Sequence, residues 1–229
     1  MKPVVLIKLP NSTQFLGTFD TGSYQKWWKS EPLPGSIDTV IQTVWCYAQY
    51  HLCVVKCTDG KYYVYRSADY GKTWEQRPEV WQEIYCLVRI DYGWMLMNTS
   101  EGWFSSSNTG LTWELISTDA PNCSVVINMG ENVLLAANAS YIYRSPDVGR
   151  TWQIVQNCRS MKVKDFHEQR YVTNIQYNGP VYPSLAGHNG RVLAGIGPYL
   201  LLSDDSGLTW MGHPSYIYPG YGWNKNKQI

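Results

Sequence analysis

No apolar run in this 229-residue chain approaches the roughly 18 residues that a membrane-spanning helix needs. The first apolar run, Val4 to Ile7, is held between Lys2 and Lys8 and is too short for a signal-peptide core. We therefore expect no signal peptide, no membrane insertion, and a place in the cytoplasm or in an assembled particle such as a virion. An excess of one charge is also missing. The 19 Lys and Arg against 18 Asp and Glu leave +1, which argues against a broad polyanion-binding surface and so against nucleic acid. The six cysteines (Cys46, Cys53, Cys57, Cys86, Cys123 and Cys158) include no Cys-x-x-Cys pair. That spacing disfavours a zinc site and a small disulfide scaffold, and points to buried, reduced thiols. The four His form neither H-x-H nor H-E-x-x-H, and no P-loop or long amphipathic helix is evident, so no metal or cofactor is expected. The four N-x-[ST] sequons, at Asn11, Asn98, Asn122 and Asn138, read as chance matches.

What the chain does have is aromatic: 11 Trp and 18 Tyr against 4 Phe, in a sequence that is 44% hydrophobic and so globular. A repeat accounts for much of this. SADYGKTW, SSNTGLTW, SPDVGRTW and SDDSGLTW align without gaps from Ser67, Ser106, Ser145 and Ser203, sharing S-x-[DN]-x-G-x-T-W. A degenerate copy, TFDTGSYQKW, begins at Thr18 and keeps Asp20 and Gly22. Asp69, Asp147 and Asp205, with Asn108 in the remaining copy, have the side-chain oxygens to accept hydrogen bonds from turn amides. The hydroxyls of Ser67, Ser106, Ser145 and Ser203, and of Thr73, Thr112, Thr151 and Thr209, close further local bonds. Gly71, Gly110, Gly149 and Gly207 supply the positive φ of a tight hairpin. Trp74, Trp113, Trp152 and Trp210, joined by Trp27 in the weak copy, offer large apolar plates to a core.

β-rich runs flank each motif, and a second turn lies 14 to 18 residues upstream, giving four strands per unit. Repetition of four-stranded antiparallel units is the signature of a β-propeller. Motif starts at 67, 106, 145 and 203 give two intervals of 39 residues and one of 58. Residues 1 to 29 supply three strands (Val4–Leu9, Gln14–Phe19 and Tyr24–Lys29), and one more lies near Tyr216–Tyr218. The expectation is an all-β, five-bladed propeller spanning 1–229 as one domain. Its ring closes when the C-terminal strand joins the N-terminal blade and removes the open edge.

These motifs resemble the Asp-box, or bacterial neuraminidase repeat, over most of the chain. The family includes sialidases, xyloglucanases, sortilin-type receptors and a photosystem assembly factor. The resemblance implies that the box is a peripheral turn between the third and fourth strands of a blade, on the face opposite the usual ligand site. The box residues would then be structural. A sialidase would also need an arginine triad, a Tyr–Glu pair and an R-I-P motif, whereas the nearest match, Arg89-Ile90-Asp91, lacks the Pro. Arg66 and Arg144 stand immediately before boxes and belong by the repeat to the periphery. The acids Glu79, Glu83, Asp119, Asp165 and Glu168 form no recognisable catalytic pair by sequence.

The 58-residue interval holds an insertion at 157–181, NCRSMKVKDFHEQRYVTNIQYNGPV, which mixes charges with aromatics. Contact with a partner, passive packing and disorder all remain open for it, as does the addition of extra strands or a sixth unit. Candidate binding residues on this and the other connections are Trp81, Asp119, Arg170, Tyr171 and Tyr177, chosen because aromatics beside polar groups anchor protein interfaces or stack on sugars. The sequence thus reads as a non-enzymatic binding scaffold for a protein partner or larger assembly, with a phage decoration or tail component as one version. A glycan-binding lectin is the alternative.

Overall fold

The computed structural model describes residues 4–19, 27–119, 121–164, 171–176, 183–197 and 199–214, to which every structural statement below refers. Every regular element among them is a strand. The first sheet holds β1 (Val4–Lys8), β2 (Phe15–Phe19) and β3 (Trp27–Lys29). The second holds β4 (Ile37–Tyr47), β5 (Tyr50–Cys57), β6 (Tyr62–Ser67) and β7 (Glu75–Trp81). The third holds β8 (Ile84–Asp91), β9 (Trp94–Thr99), β10 (Gly102–Ser106) and β11 (Glu114–Ser117). The fourth holds β12 (Val125–Gly130), β13 (Val133–Ala137), β14 (Tyr141–Ser145) and β15 (Gln153–Asn157). A hairpin of β16 (Ser160–Lys164) and β17 (Tyr171–Gln176) follows. The last unit is β18 (Ser184–His188), β19 (Arg191–Ile196), β20 (Tyr199–Ser203) and β21 (Met211–Pro214).

Each repeat is an antiparallel meander in chain order, and the first strands contact one another in succession: β4 with β8, β8 with β12, and β12 with β18. The sheets therefore stand as blades around these inner strands. The character of the 157–181 insertion is open in the sequence. It contributes two strands to the outer edge of the last blade, in the order β17-β16-β21-β20-β19-β18. The join is parallel, with Val163 opposite Gly212. Pairing as a hairpin gives the backbone polar groups of this stretch partners that an irregular loop would leave to water. The expected closing strand near Tyr216–Tyr218 and the weak-copy residues Asp20 and Gly22 lie outside the described residues.

Four apolar clusters fill the spaces between successive blades. Phe15 and Leu33 meet Cys53, Val55, Tyr65 and Trp74, and Leu52 and Val54 meet Leu87, Met95 and Met97. Leu96 and Trp103 meet Leu134, Ala136 and Val148, and Ala137 and Ile142 meet Ala194, Ile196 and Leu201. Each box Trp belongs to the cluster in front of its own blade. Trp74 tilts against Phe15 of the first sheet at 5.3 Å between centroids, and Trp152 against Trp103 of the third at 4.8 Å. Trp27, expected as a fifth plate, lies on the corresponding face of the first sheet, turned away from the second, and is 41% exposed because none of the described residues forms a blade in front of it.

The box is a closed local network. Ser67 Oγ donates to Asp69 Oδ1 at 2.8 Å and accepts from the Gly71 amide at 2.8 Å. Asp69 then accepts from the Thr73 amide (2.9 Å) and the Thr73 hydroxyl (2.7 Å). The Asp147 and Asp205 boxes repeat these bonds. In the Asn108 box the amide Nδ2 donates to Thr112 Oγ1 at 2.8 Å, so only the direction of that bond is reversed. Burial alone would raise the three Asp carboxyls, but the Thr and Ser donors outweigh it and hold them below the ordinary carboxylate value.

The glycine has a second duty. A Cβ on Gly71, Gly110 or Gly207 would lie 2.7, 2.7 or 2.5 Å from Leu6, Leu52 or Leu135, and one on Gly149 would lie 3.3 Å from Leu96. Those leucines are the third residues of β1, β5, β13 and β9, always in the preceding blade. Each box thus seats a bare backbone on a leucine of the blade before it. Gly60 has a similar φ of +80° but open space around it, against +79° at Gly110. We expect Gly60→Ala to cost about 1 kcal/mol for the left-handed backbone alone. Gly110→Ala should cost about 3 kcal/mol, since the methyl must also displace Leu52. Chemical denaturation of the two variants checks the difference, and equal losses would refute the seat.

Candidate functional site

In a meander, successive turns alternate between the two ends of the sheet. The box turns therefore share one end with the turns between first and second strands. Hydrogen bonds confirm the grouping: the amides of Tyr70, Thr109, Val148 and Ser206 donate to Gln49, Gly93, Asn132 and Gly190 at 2.9, 2.9, 3.0 and 2.7 Å. The turns between second and third strands, and the connections between blades, occupy the opposite end.

A cavity of about 550 Å³ opens at that opposite end, lined by Lys8, Asn11, Ser12, Thr13, Ile37, Asp38 and Val40. The β1–β2 turn shapes one wall. Asn11 takes a left-handed φ of 51°, Ser12 Oγ accepts from the Gln14 amide at 3.1 Å, and the Leu33 amide donates to Thr13 O at 3.1 Å. The start of β4 shapes the other wall. An ammonium, an amide, two hydroxyls and one carboxylate line it together with Ile37 and Val40, a set suited to holding a polar ligand by hydrogen bonds. Asp38 is the single carboxylate of the lining, so the cavity itself contains no acid pair. Among the described residues, no cluster of His, Cys, Asp and Glu could hold a metal ion.

The candidates chosen from sequence fall in separate places. Trp81 is buried, 6% exposed, and stands edge-on to Phe104 at 4.6 Å in the cluster between the second and third blades. Expected as a stacking face, it is a core residue, because it ends β7 on the side covered by the next blade. Asp119 is exposed in the connection after β11. Tyr171 opens β17, opposite Lys164, on the far edge of the last sheet. Arg170 and Tyr177 lie outside the described residues, as do Asp165 and Glu168. Trp81, Asp119 and Tyr171 thus belong to three different blades or connections and do not form one site.

The arginines before the boxes tie blades together. Arg66 donates through Nε to Thr109 O (3.1 Å) and through Nη2 to Thr109 Oγ1 (2.9 Å), and Arg144 Nε donates to Ser206 O (3.0 Å). Both acceptors belong to the box of the following blade. Asn98 is fully buried with its Oδ1 accepting from the Cys123 amide at 2.8 Å, which removes that sequon as a modification site of the folded chain.

No protein-family model matches this sequence, and no curated protein matches it. Solved structures do. An ancestral GH74 enzyme is 17% identical, with 79% of this chain and 25% of that one covered and a TM-score of 0.53. A GH74 enzyme from Niastella koreensis is 15% identical over 92% of this chain and 45% of that one, at a TM-score of 0.45. YCF48 bound to D1 peptide is 14% identical over 93% of this chain and 84% of that one, at 0.48. These neighbours are β-propeller proteins. The fold is a β-propeller. At this identity the likeness speaks to fold and not to activity. The chain also spans less than half the length of the GH74 structures it matches.

Within the propeller all six cysteines are buried free thiols. Burial pushes Cys46 and Cys86 up to about 12 and Cys158 to about 11, and raises Cys53, Cys57 and Cys123 as well. Thiolate is then scarce at neutral pH. A chromogenic disulfide reagent at pH 8 should label fewer than about one thiol in the native protein within minutes and all six after denaturant. Fast labelling of a native thiol would contradict this burial.

Proposed function

We propose that this chain is a non-enzymatic Asp-box propeller that acts as a binding scaffold, docking a protein partner or a larger assembly through its connection end and its inserted hairpin. The observation that carries this reading is the β16–β17 hairpin. Among the described residues β17 is paired on one side only, so a strand edge of the sequence Tyr171–Gln176 stands at the rim of the sheet. An unpaired edge is a template for a partner strand, through backbone hydrogen bonds that an irregular loop could not offer. The polar cavity at Lys8, Asn11 and Asp38 provides a second contact at the connection end. Near-balanced charge and abundant Tyr, Asn and Ser suit a component of a particle, with a phage decoration or tail position as the concrete version. Size-exclusion chromatography of native material tests this: the chain should elute in a large complex. Replacing residues 165–176 by a short Gly-Ser linker, which retains the buried Met161, should release it. Elution of the wild-type chain alone at 26.3 kDa would sink the proposal.

The same proposal treats residues 1–229 as one closed domain. Leu193 is the third residue of β19 and so corresponds to Leu6, Leu52, Leu96 and Leu135. It is nevertheless 39% exposed, with Leu202 beside it at 41%, on a hollow of about 630 Å³. The opposite terminal face carries the exposed Ile7 and Trp27. Among the described residues these two apolar faces are unmatched and β1 ends its sheet, which favours closure of the ring by the first blade and the C-terminal strand. Truncation after Pro214 should then lower the melting temperature by about 5–10 °C and speed amide exchange in β1. Unchanged exchange in β1 would refute closure through that edge.

A further inference from the structure

A separate surface lies at the box end of the inner strands, on the opposite side from the cavity and away from the hairpin. There the ends of β4 and β8 bring four large side chains into two stacked pairs. The Arg89 guanidinium sits over the Trp45 ring, 4.6 Å from its centroid. Tyr47 and Tyr92 meet edge-on at 5.3 Å. Tyr92 is 80% exposed, well above the other exposed large apolar side chains among the described residues.

The platform is braced from below. The turn carrying Tyr92 is held by the Thr109 amide on Gly93 O, and the turn after Tyr47 by the Tyr70 amide on Gln49 O. Trp45 Nε1 donates to Ala48 O at 2.9 Å, and Asn128 Nδ2 of the next blade donates to Ile90 O at 2.6 Å. The turns that carry the tyrosines, and the Trp45 ring itself, are therefore held before any ligand arrives, which removes part of the ordering cost of binding. The Arg89 fork is likewise oriented by its stacking on Trp45, yet no acceptor among the described residues takes its N–H groups. Asp91, exposed on the same strand end, adds a carboxylate that accepts from hydroxyl groups.

Oriented guanidinium donors without an acceptor call for a planar oxyanion, and exposed tyrosine faces call for flat C–H surfaces. A carboxylate acceptor alongside calls for hydroxyls. We propose that this end of the propeller binds an oligosaccharide that carries carboxylates. The ligand's carboxylate lies on Arg89, a sugar ring stacks on Tyr92, and a hydroxyl donates to Asp91. This site is independent of the partner-docking reading above.

The probe is a galacturonic acid hexamer, titrated calorimetrically and by tryptophan emission, with its methyl ester as the uncharged match. Wild type should bind the acid saturably and the ester at least about tenfold more weakly. Tyr92→Ala and Arg89→Gln should each weaken the acid at least about tenfold, and Arg89→Lys by nearly as much, because an ammonium cannot form the two-pronged contact. Melting temperatures near that of wild type confirm that the variants fold, which the exposure of Tyr92 favours. Replacement of residues 165–176 should leave saccharide binding unchanged. No saturable binding by wild type up to about 10 mM would overturn the proposal, as would equal affinity for acid and ester, or full binding by Tyr92→Ala and Arg89→Gln.

Discussion

The contact on which the molecule depends is the seat of a glycine on a leucine across the gap between blades. Burying apolar faces gives the sheets a reason to associate but does not say at what distance or angle. The bare Cα of Gly71, Gly110, Gly149 or Gly207 supplies that information, because it lets the box turn come down on Leu6, Leu52, Leu96 or Leu135; at Gly71, Gly110 and Gly207 a Cβ would lie under 3.0 Å from the leucine, and at Gly149 at 3.3 Å. The box itself is tied by Ser and Asp to its own strand ends, so the seat transmits position from one rigid turn to the next blade. Arg66 and Arg144 strengthen two of the four seats by bonding to the same turns. The aromatic plates beside them, such as Trp152 on Trp103, then fill the space the seat has measured out.

The repeat explains why architecture was legible from sequence alone. Ser, Asp, Gly, Thr and Trp at fixed spacing are each bound to a mechanical task, and turns cannot perform those tasks with arbitrary residues. The leucine partners were harder to see. Leu96, Leu135 and Leu193 stand ten residues before their own box Ser, yet the first two seat on the following box, so the sequence places them in one unit and the fold uses them in another. The left-handed residue before each box glycine carried no signal at all. Tyr70, Thr109, Val148 and Ser206 share φ values between 56° and 65° but no chemistry, because the requirement falls on their amides, which bond to the neighbouring turn. A backbone requirement leaves side-chain identity free, even for the β-branched Val148 at a strained φ.

Site residues were less legible for a related reason. Exposure at a connection cannot be read from composition, and Trp81 is identical in type to a stacking aromatic while lying in a core. Lys8, Asn11, Ser12 and Thr13 converge with Asp38 only because a turn of the first sheet faces the start of the second blade. Tyr47 and Tyr92 likewise come from different repeats and meet through the contact of β4 with β8. Local pattern determines turns, whereas these groupings are made by the spacing between blades.

The direction of the seats bears on how the chain is made. Every described box glycine rests on a leucine that lies earlier in the sequence, never later. As the chain leaves the ribosome, each new box finds its support already emerged, and the blades can dock one by one behind the growing end. Few native contacts between neighbouring blades then have to wait for distant residues, and exposed apolar faces are covered soon after they appear. In their order of assembly the described blades form a line.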